Sequence, residues 1–334
     1  MIPRIVPSCQ TPSWQKQLAE AISSPKELFK CLCLPESMLE AARQSAKLFP
    51  LKVTHSYLSR IEKGNIHDPL LRQILPLLDE QTENPDYCVD PVGDIQATAA
   101  PGILHKYNGR VLLMPTSACA IHCRYCFRRH FPYSDHKSSN NWRQAIEYIG
   151  KDNSIHEVIL SGGDPLSLSN NKLFRLLELL EKIPHLKRIR FHTRYPLILP
   201  DRIDTELSNY LHQLRCKVVM VIHCNHPNEL DKDTIRPLNL LNKKGITLLN
   251  QSVLLAGIND DADILSRLSE QLFEHNVLPY YLHQLDKVKG TQHFYVSDQQ
   301  AKALITHLRN SLPGYLVPRL VRENSGEPAK QILL

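Results

Sequence analysis

The amino-acid sequence predicts an α/β protein: parallel strands in a partial barrel or an open doubly wound sheet, with a helical region in front. Three observations carry this. Six short runs rich in Val, Ile, Leu and aromatic residues follow one another after residue 110: "VLLMP" (111–115), "EVILSG" (157–162), "RIRFHT" (188–193), "VVMVIHC" (218–224), "TLLNQSVLL" (247–255) and "PYYLHQ" (279–284). Their apolar content is that of strands buried on both faces. Helical patterns such as "WRQAIEYIG", "NNKLFRLLELLEKI" and "DDADILSRLSEQLFEH" lie between them. The last five runs begin about thirty residues apart, the length of a βα unit. Six such units are too few for a closed eightfold barrel of ~250 residues.

Residues 1–100 read differently. "WQKQLAEAI", "PKELFKCLCL" and "PLLRQILPLLDE" carry helical periodicity, and "TENPDYCVDPVGD" has the proline and turn residues of a linker. The chain therefore divides into a helical region (1–100), a (β/α)6 array (101–317) and a short C-terminal tail (318–334).

Composition narrows the function classes. The chain has 334 residues, 42% hydrophobic and 22% charged, which suffices for a substantial core. A net charge of +6 suits an anionic cofactor or substrate, and without a basic block direct nucleic-acid binding is not expected. The first residues, "MIPRIVPSCQTPSWQKQL", lack a secretory apolar core, and no run approaches the ~18 apolar residues of a membrane span. A cytoplasmic protein without membrane contact is expected. Its nine cysteines, an odd number, should then be free thiols rather than disulfides.

Three of them cluster in "CAIHCRYCFRRHFPY" (119–133), on the loop after the first strand. Thiolates at Cys119, Cys123 and Cys126 can hold a [4Fe–4S] cluster, leaving one iron free for a small molecule. Adding His130 would complete a closed tetrahedral zinc set, the mark of a zinc RNA-binding module. Chemistry in parallel α/β folds gathers at the carboxyl ends of the strands. There the chain has the cysteines, "GGDP" (162–165), "HTR" (192–194), "HCNHP" (223–227), "NQS" (250–252) and "QLDKVKG" (284–290), which should meet at one mouth.

These motifs carry a resemblance. Cys119-x3-Cys123-x2-Cys126 after the first strand resembles the signature of the radical S-adenosylmethionine (SAM) superfamily, whose fold is a partial (β/α)6 barrel. "SGGDPL" resembles the segment that receives SAM there. The resemblance implies SAM contacts from Ser161, Gly162, Gly163, Asp164 and Arg194. More narrowly, "CRYCFRR", "SGGDPL", "HCNHPNE", "NQSVLLAGIND" and "SGEPAK" fall in the order of the lysine 2,3-aminomutase family over residues 100–330. The chain is most similar to the short members that make (R)-β-lysine for elongation factor P.

Further site residues are implied by that family. Pyridoxal phosphate (PLP) would form its Schiff base with Lys330, beside Lys106, Tyr107, Arg110 and Gln251. Arg128 would bind the carboxylate of L-lysine, and Asp286 and Glu323 its ε-ammonium. Two positions depart from the family pattern: Lys106 stands where arginine is usual, and Glu323 where the catabolic enzymes have aspartate. Glutamate aminomutases lack the acidic pair, so retaining it favours lysine. No cysteine follows Cys224, so the zinc site of the larger catabolic enzymes should be absent. The implied reaction is a radical 1,2-amino shift from L-α-lysine to (R)-β-lysine. Implied partners are elongation factor P and its β-lysyl ligase, and the family allows a homodimer. Within the superfamily, a glutamate 2,3-aminomutase or a PLP-independent methylthiolase is the alternative.

Overall fold

The computed structural model describes residues 13–133 and 142–334; the first residues and Cys9 lie outside them. The described residues begin with five short helices, α1 (Trp14–Ala19), α2 (Pro25–Leu32), α3 (Leu39–Leu48), α4 (His55–Leu58) and α5 (Pro69–Arg72). Asp68 caps α5 by accepting from the N–H groups of Leu70 (2.8 Å) and Leu71 (3.0 Å), with Pro69 opening the helix. These are N-terminal amides that lack intrahelical partners. The sequence predicts helix throughout "PLLRQILPLLDE", but α5 ends at Arg72 and a single 3-10 turn follows at Leu78–Gln81. Pro76 explains the break, since it has no N–H to donate and disfavours helical backbone at Leu75.

A sheet of ten strands follows, hydrogen-bonded in sequence order from β1 to β10. An antiparallel pair, β1 (Thr98–Ala100) and β2 (Ile103–Tyr107), leads into β3 (Arg110–Thr116). Helix α6 (Arg143–Lys151) precedes β4 (Glu157–Gly162), and α7 (Asn170–Glu181) precedes β5 (Arg188–Thr193). After β5 come α8 (Tyr195–Ile198) and α9 (Thr205–Gln213), then β6 (Lys217–Ile222), α10 (Lys232–Lys243) and β7 (Thr247–Val253). Helix α11 (Ala262–Glu274), β8 (Val277–His283) and α12 (Asp298–Ser311) complete the array. Strands β3 to β8 are the six apolar runs and pair in parallel. The sheet then gains β9 (Arg319–Arg322), parallel to β8, and the short return strand β10 (Gln331–Ile332), antiparallel to β9. The two ends of the ladder, β1 and β10, do not pair with each other. The barrel stays open.

Strand alternation decides what faces inward. Val111, Val158, Ile189 and Val218 stand in register across neighbouring strands and belong to the main core. One residue along, Leu112, Ile159 and Arg190 line the barrel cavity, as do His192, Gln251, Tyr281 and His283. A period of two thus sorts most of these side chains into core or cavity, with Val111 reaching both. The same core takes in Leu28, Leu51, Leu70 and Ile74 of the N-terminal helices, so those helices are packed onto the barrel wall. Among the described residues no helix is long and apolar enough to cross a membrane.

Candidate active site

One cavity of about 650 Å³ is lined by residues at the carboxyl ends of the strands and also by Arg110 and Glu157 at the amino ends of β3 and β4. Every residue that the sequence assigns to cofactor or substrate lines it: Cys119, Cys123, Cys126, Lys106, Tyr107, Arg110, Arg128, Ser161, Gly162, Gly163, Asp164, Arg194, Gln251, Asp286, Glu323 and Lys330. The convergence expected at one mouth is what the fold produces.

The cysteine loop is held from both sides. His122 N–H donates to the Lys52 carbonyl and Arg124 N–H to the Gln73 carbonyl, each at 2.9 Å. Between two of the cysteines, the fully buried Arg124 donates Nε to Glu80 Oε1 (2.8 Å) and Nη2 to Oε2 (2.5 Å), with Nη1 on the Phe49 carbonyl (2.8 Å). Arg129 reaches the same carboxylate at 2.6 Å. On the barrel side, Gly163 lies against the loop. A Cβ there would come within 2.6 Å of the Ala118 carbonyl oxygen and the Ser117 carbonyl carbon, so only glycine allows this approach. Burial pushes the Cys119 thiol well up, and that of Cys126 to about 11, with Cys123 adding repulsion to both. The Cys119 and Cys126 thiols, buried as they are, ionise poorly alone and call for a cationic group beside them. That is the fit of an iron–sulfur cluster. His130, required for the zinc reading, has Nε2 3.1 Å from the Lys289 carbonyl. Among the described residues no three His, Cys, Asp or Glu side chains gather around one ion-sized point.

Three of the residues expected at SAM, Asp164, Arg194 and Ser161, have side chains already engaged with protein. Asp164 accepts from Thr193 Oγ1 (2.7 and 2.9 Å), Arg194 N–H (2.8 Å) and Leu166 N–H (3.1 Å), while burial raises its carboxyl to about 6. It braces the ends of β4 and β5. Arg194 donates Nη2 to Gln73 Oε1 (2.9 Å) and Glu229 Oε2 (2.7 Å), and Nη1 to Cys123 Sγ (2.9 Å). Arg128 donates Nε to Asp94 Oδ2 (2.6 Å) and Nη1 to Ser161 Oγ (3.2 Å).

The tail supplies a further part of the cavity wall. Lys330 donates to Glu323 Oε2, while Lys106 Nζ reaches Glu323 Oε1 at 2.9 Å, Asp94 Oδ1 at 2.5 Å and the Val92 carbonyl at 2.8 Å. These two cations, Lys330 first, hold the Glu323 carboxyl far below its ordinary range despite burial. Asp286, beyond β8, is pushed up to about 7 by its removal from water. Arg110 lies over the Tyr107 ring, 4.7 Å from its centre.

Several residues of the site escape sequence reasoning. Gln73, Glu80 and Asp94 all come from the region where no chemistry is legible, and only Asp94, beside Gly93 in a turn, carries any local signal. His192 and His223, which belong to the strand-end patches "HTR" and "HCNHP", line the cavity together with His283, and burial keeps all three neutral, His223 at about 3. His192 Nδ1 stands 3.2 Å from His223 Nε2. Their signal is their place at strand ends.

Comparison with known proteins bears on this geometry. Residues 113–268 match the Radical SAM superfamily. L-lysine 2,3-aminomutase of Haemophilus influenzae is 47% identical over 321 residues, covering 96% of this chain and 95% of that protein. The chain belongs to the lysine 2,3-aminomutase family. The Escherichia coli enzyme of the same name is 46% identical over 325 residues, with coverages of 96% and 95%. Among solved structures, Streptococcus suis SuiB bound to S-adenosylmethionine matches with a TM-score of 0.48 and 16% identity, over 67% of this chain and 52% of that one. Membership of the aminomutase family makes the chain an enzyme, an isomerase of the radical SAM class, and implies a [4Fe–4S] cluster and SAM.

Proposed function

We propose that the chain is an L-lysine 2,3-aminomutase that converts L-α-lysine to (R)-β-lysine with SAM and PLP. One observation carries the reading: a single cavity is lined by three cysteines, by a lysine on the returning tail, and by a guanidinium and two carboxyl groups. When bound, the cluster with SAM supplies one-electron hydrogen abstraction, and PLP supplies the carrier on which the amino group migrates.

The chain's own residues bind, orient and exclude water. Cys119, Cys123 and Cys126 would hold the cluster, and Ser161, Gly162, Gly163 and the strand end braced by Asp164 and Arg194 would frame SAM. Lys330 Nζ would hold PLP by its aldehyde carbon. Asp286 and Glu323 would receive the ε-ammonium of lysine. That cation stabilises ionised Asp286 in a site where its carboxyl otherwise titrates at about 7. Arg128 would take the substrate carboxylate at the other end. Because Lys106 is shared between Asp94 and Glu323, phosphate recognition falls chiefly on Arg110, whose planar donors suit phosphate oxygens, with Tyr107 beneath it and Gln251 near the ring. Burial of the cavity wall limits the water that would quench a radical.

We further propose that the β-lysine is made in the cytoplasm for the ligase that modifies elongation factor P. The decisive experiment is anaerobic reconstitution with iron, sulfide and PLP, followed by metal analysis, an absorbance spectrum and turnover of lysine and glutamate. The expected result is four irons per chain, a PLP band lost from the Lys330→Ala variant, and β-lysine as product. Zinc in place of iron, or borohydride labelling unchanged in Lys330→Ala, would overturn the reading.

A further inference from the structure

Asp94 belongs to a turn that reads from sequence as linker, yet its side chain is buried within the cavity wall. The turn is built to put it there. Asp90 accepts from the Asp94 N–H (2.8 Å) and the Ile95 N–H (3.0 Å), which fixes the backbone around it. Gly93 packs on the tail so closely that a Cβ would meet Ser325 Oγ at 2.2 Å. The Asp94 oxygens face two cations, Lys106 at 2.5 Å and Arg128 at 2.6 Å. Charges therefore alternate along the wall from Arg128 through Asp94, Lys106 and Glu323 to Lys330.

The two bonds made by Arg128 leave a particular edge free. Nε is held by Asp94 and Nη1 by Ser161, and among the described residues Nη2 has no protein acceptor. A guanidinium gripped through Nε cannot rotate about its bond to the side-chain stem, so its remaining donors keep one direction.

We propose that Asp94 is a positioning residue for substrate: it clamps Arg128 by Nε so that the guanidinium's free edge meets the carboxylate of the amino acid. This rests on the aminomutase reading, which makes Arg128 the carboxylate site. Asp94 also ties that clamp, through Lys106, to the Glu323 carboxylate at the ammonium end of the site.

The test uses PLP-loaded protein without SAM, so that ligands bind without turnover. Titrations of the PLP absorption band compare L-lysine with L-lysinamide, which lacks the carboxylate charge. The Asp94→Asn variant should bind lysine at least tenfold more weakly while binding lysinamide within twofold of wild type. Adding Asp94→Asn to Arg128→Gln should produce no further loss for lysine, because the two residues act on one contact. Equal weakening of both ligands, or unchanged lysine binding, would overturn the assignment, as would a further loss in the double variant. A wild-type protein with no PLP band, or one indifferent to lysine, would overturn the aminomutase reading and this inference together. Should Asp94→Asn fail to fold, Asp94→Glu serves instead: it keeps the charge but displaces the clamp, and the same selective loss for lysine is expected.

Discussion

The two walls of the cavity are built by different means. The cysteine wall is fixed by contacts throughout the body of the protein. Arg124 and Arg129 share the buried Glu80, Gly163 presses on the loop backbone, and Gln73 and Glu229 brace Arg194. The tail wall rests on Glu323 between two lysines and on a two-residue return strand whose residues are exposed. Damage to the first wall should therefore appear as lost stability, and damage to the second as altered binding in a folded protein. The contrast suits the tasks proposed for each, a cluster seat that must not move and a lysine that must exchange partners.

Four substitutions test the contrast, beginning with the largest effect. Glu80→Ala strands Arg124 and Arg129 in a dry interior and should cost about 3–5 kcal/mol, read as a lower urea midpoint with loss of iron. A midpoint unchanged within error would mean that the cysteine wall does not depend on the N-terminal helices. Gly163→Ala drives a methyl group into backbone atoms, and overpacking of this kind costs about 1–3 kcal/mol. Iron content after reconstitution should fall with it.

At the tail wall the effect of Asp286→Asn depends on pH. The folded-state carboxyl titrates at about 7, above the ~3.9 of an unfolded aspartate. Ionising it therefore destabilises the fold increasingly as pH rises from about 4 to about 7. Asn should raise the unfolding temperature of the unliganded protein at pH 8, and the advantage should shrink toward pH 4. A pH-independent difference would contradict this account of the site. The smallest effect belongs to Arg322→Met, which removes a partly exposed pair with Asp298. The expected cost is below about 1 kcal/mol, and a calorimetric loss matching that of Glu80→Ala would erase the distinction between the walls.

The strands that form the barrel were legible because burial on both faces leaves a dense apolar signature. "EVILSG" and "RIRFHT" correspond residue for residue to β4 and β5. Strands β1, β2, β9 and β10 were not, being short and mixed in character, with pairing decided by their neighbours. The candidate site was legible where chemistry demands rare residues at fixed spacing, as in Cys119-x3-Cys123-x2-Cys126. Glu80 and Asp94 were not, because a carboxyl group near prolines looks like any solvated turn. Only the fold reveals that each is buried against two cations. The interruption of "PLLRQILPLLDE" at Pro76 shows a third case, in which a local rule outweighs periodicity.

The ladder from β1 to β10 never closes on itself, and at that gap β2 and the chain beyond β9 approach through Lys106 and Glu323. Side chains join the two margins there, next to the backbone bridge that Cys88 makes with Lys287 and Lys289. Parting them would break ion pairs while leaving every rung of the sheet intact, so the opening free energy of this seam lies well below that of global unfolding. A bulky cofactor could thus be admitted sideways through a slit that later reseals. Hydrogen exchange should find the amides around residues 92–94 and 323–330 opening far more often than those of β4 to β7.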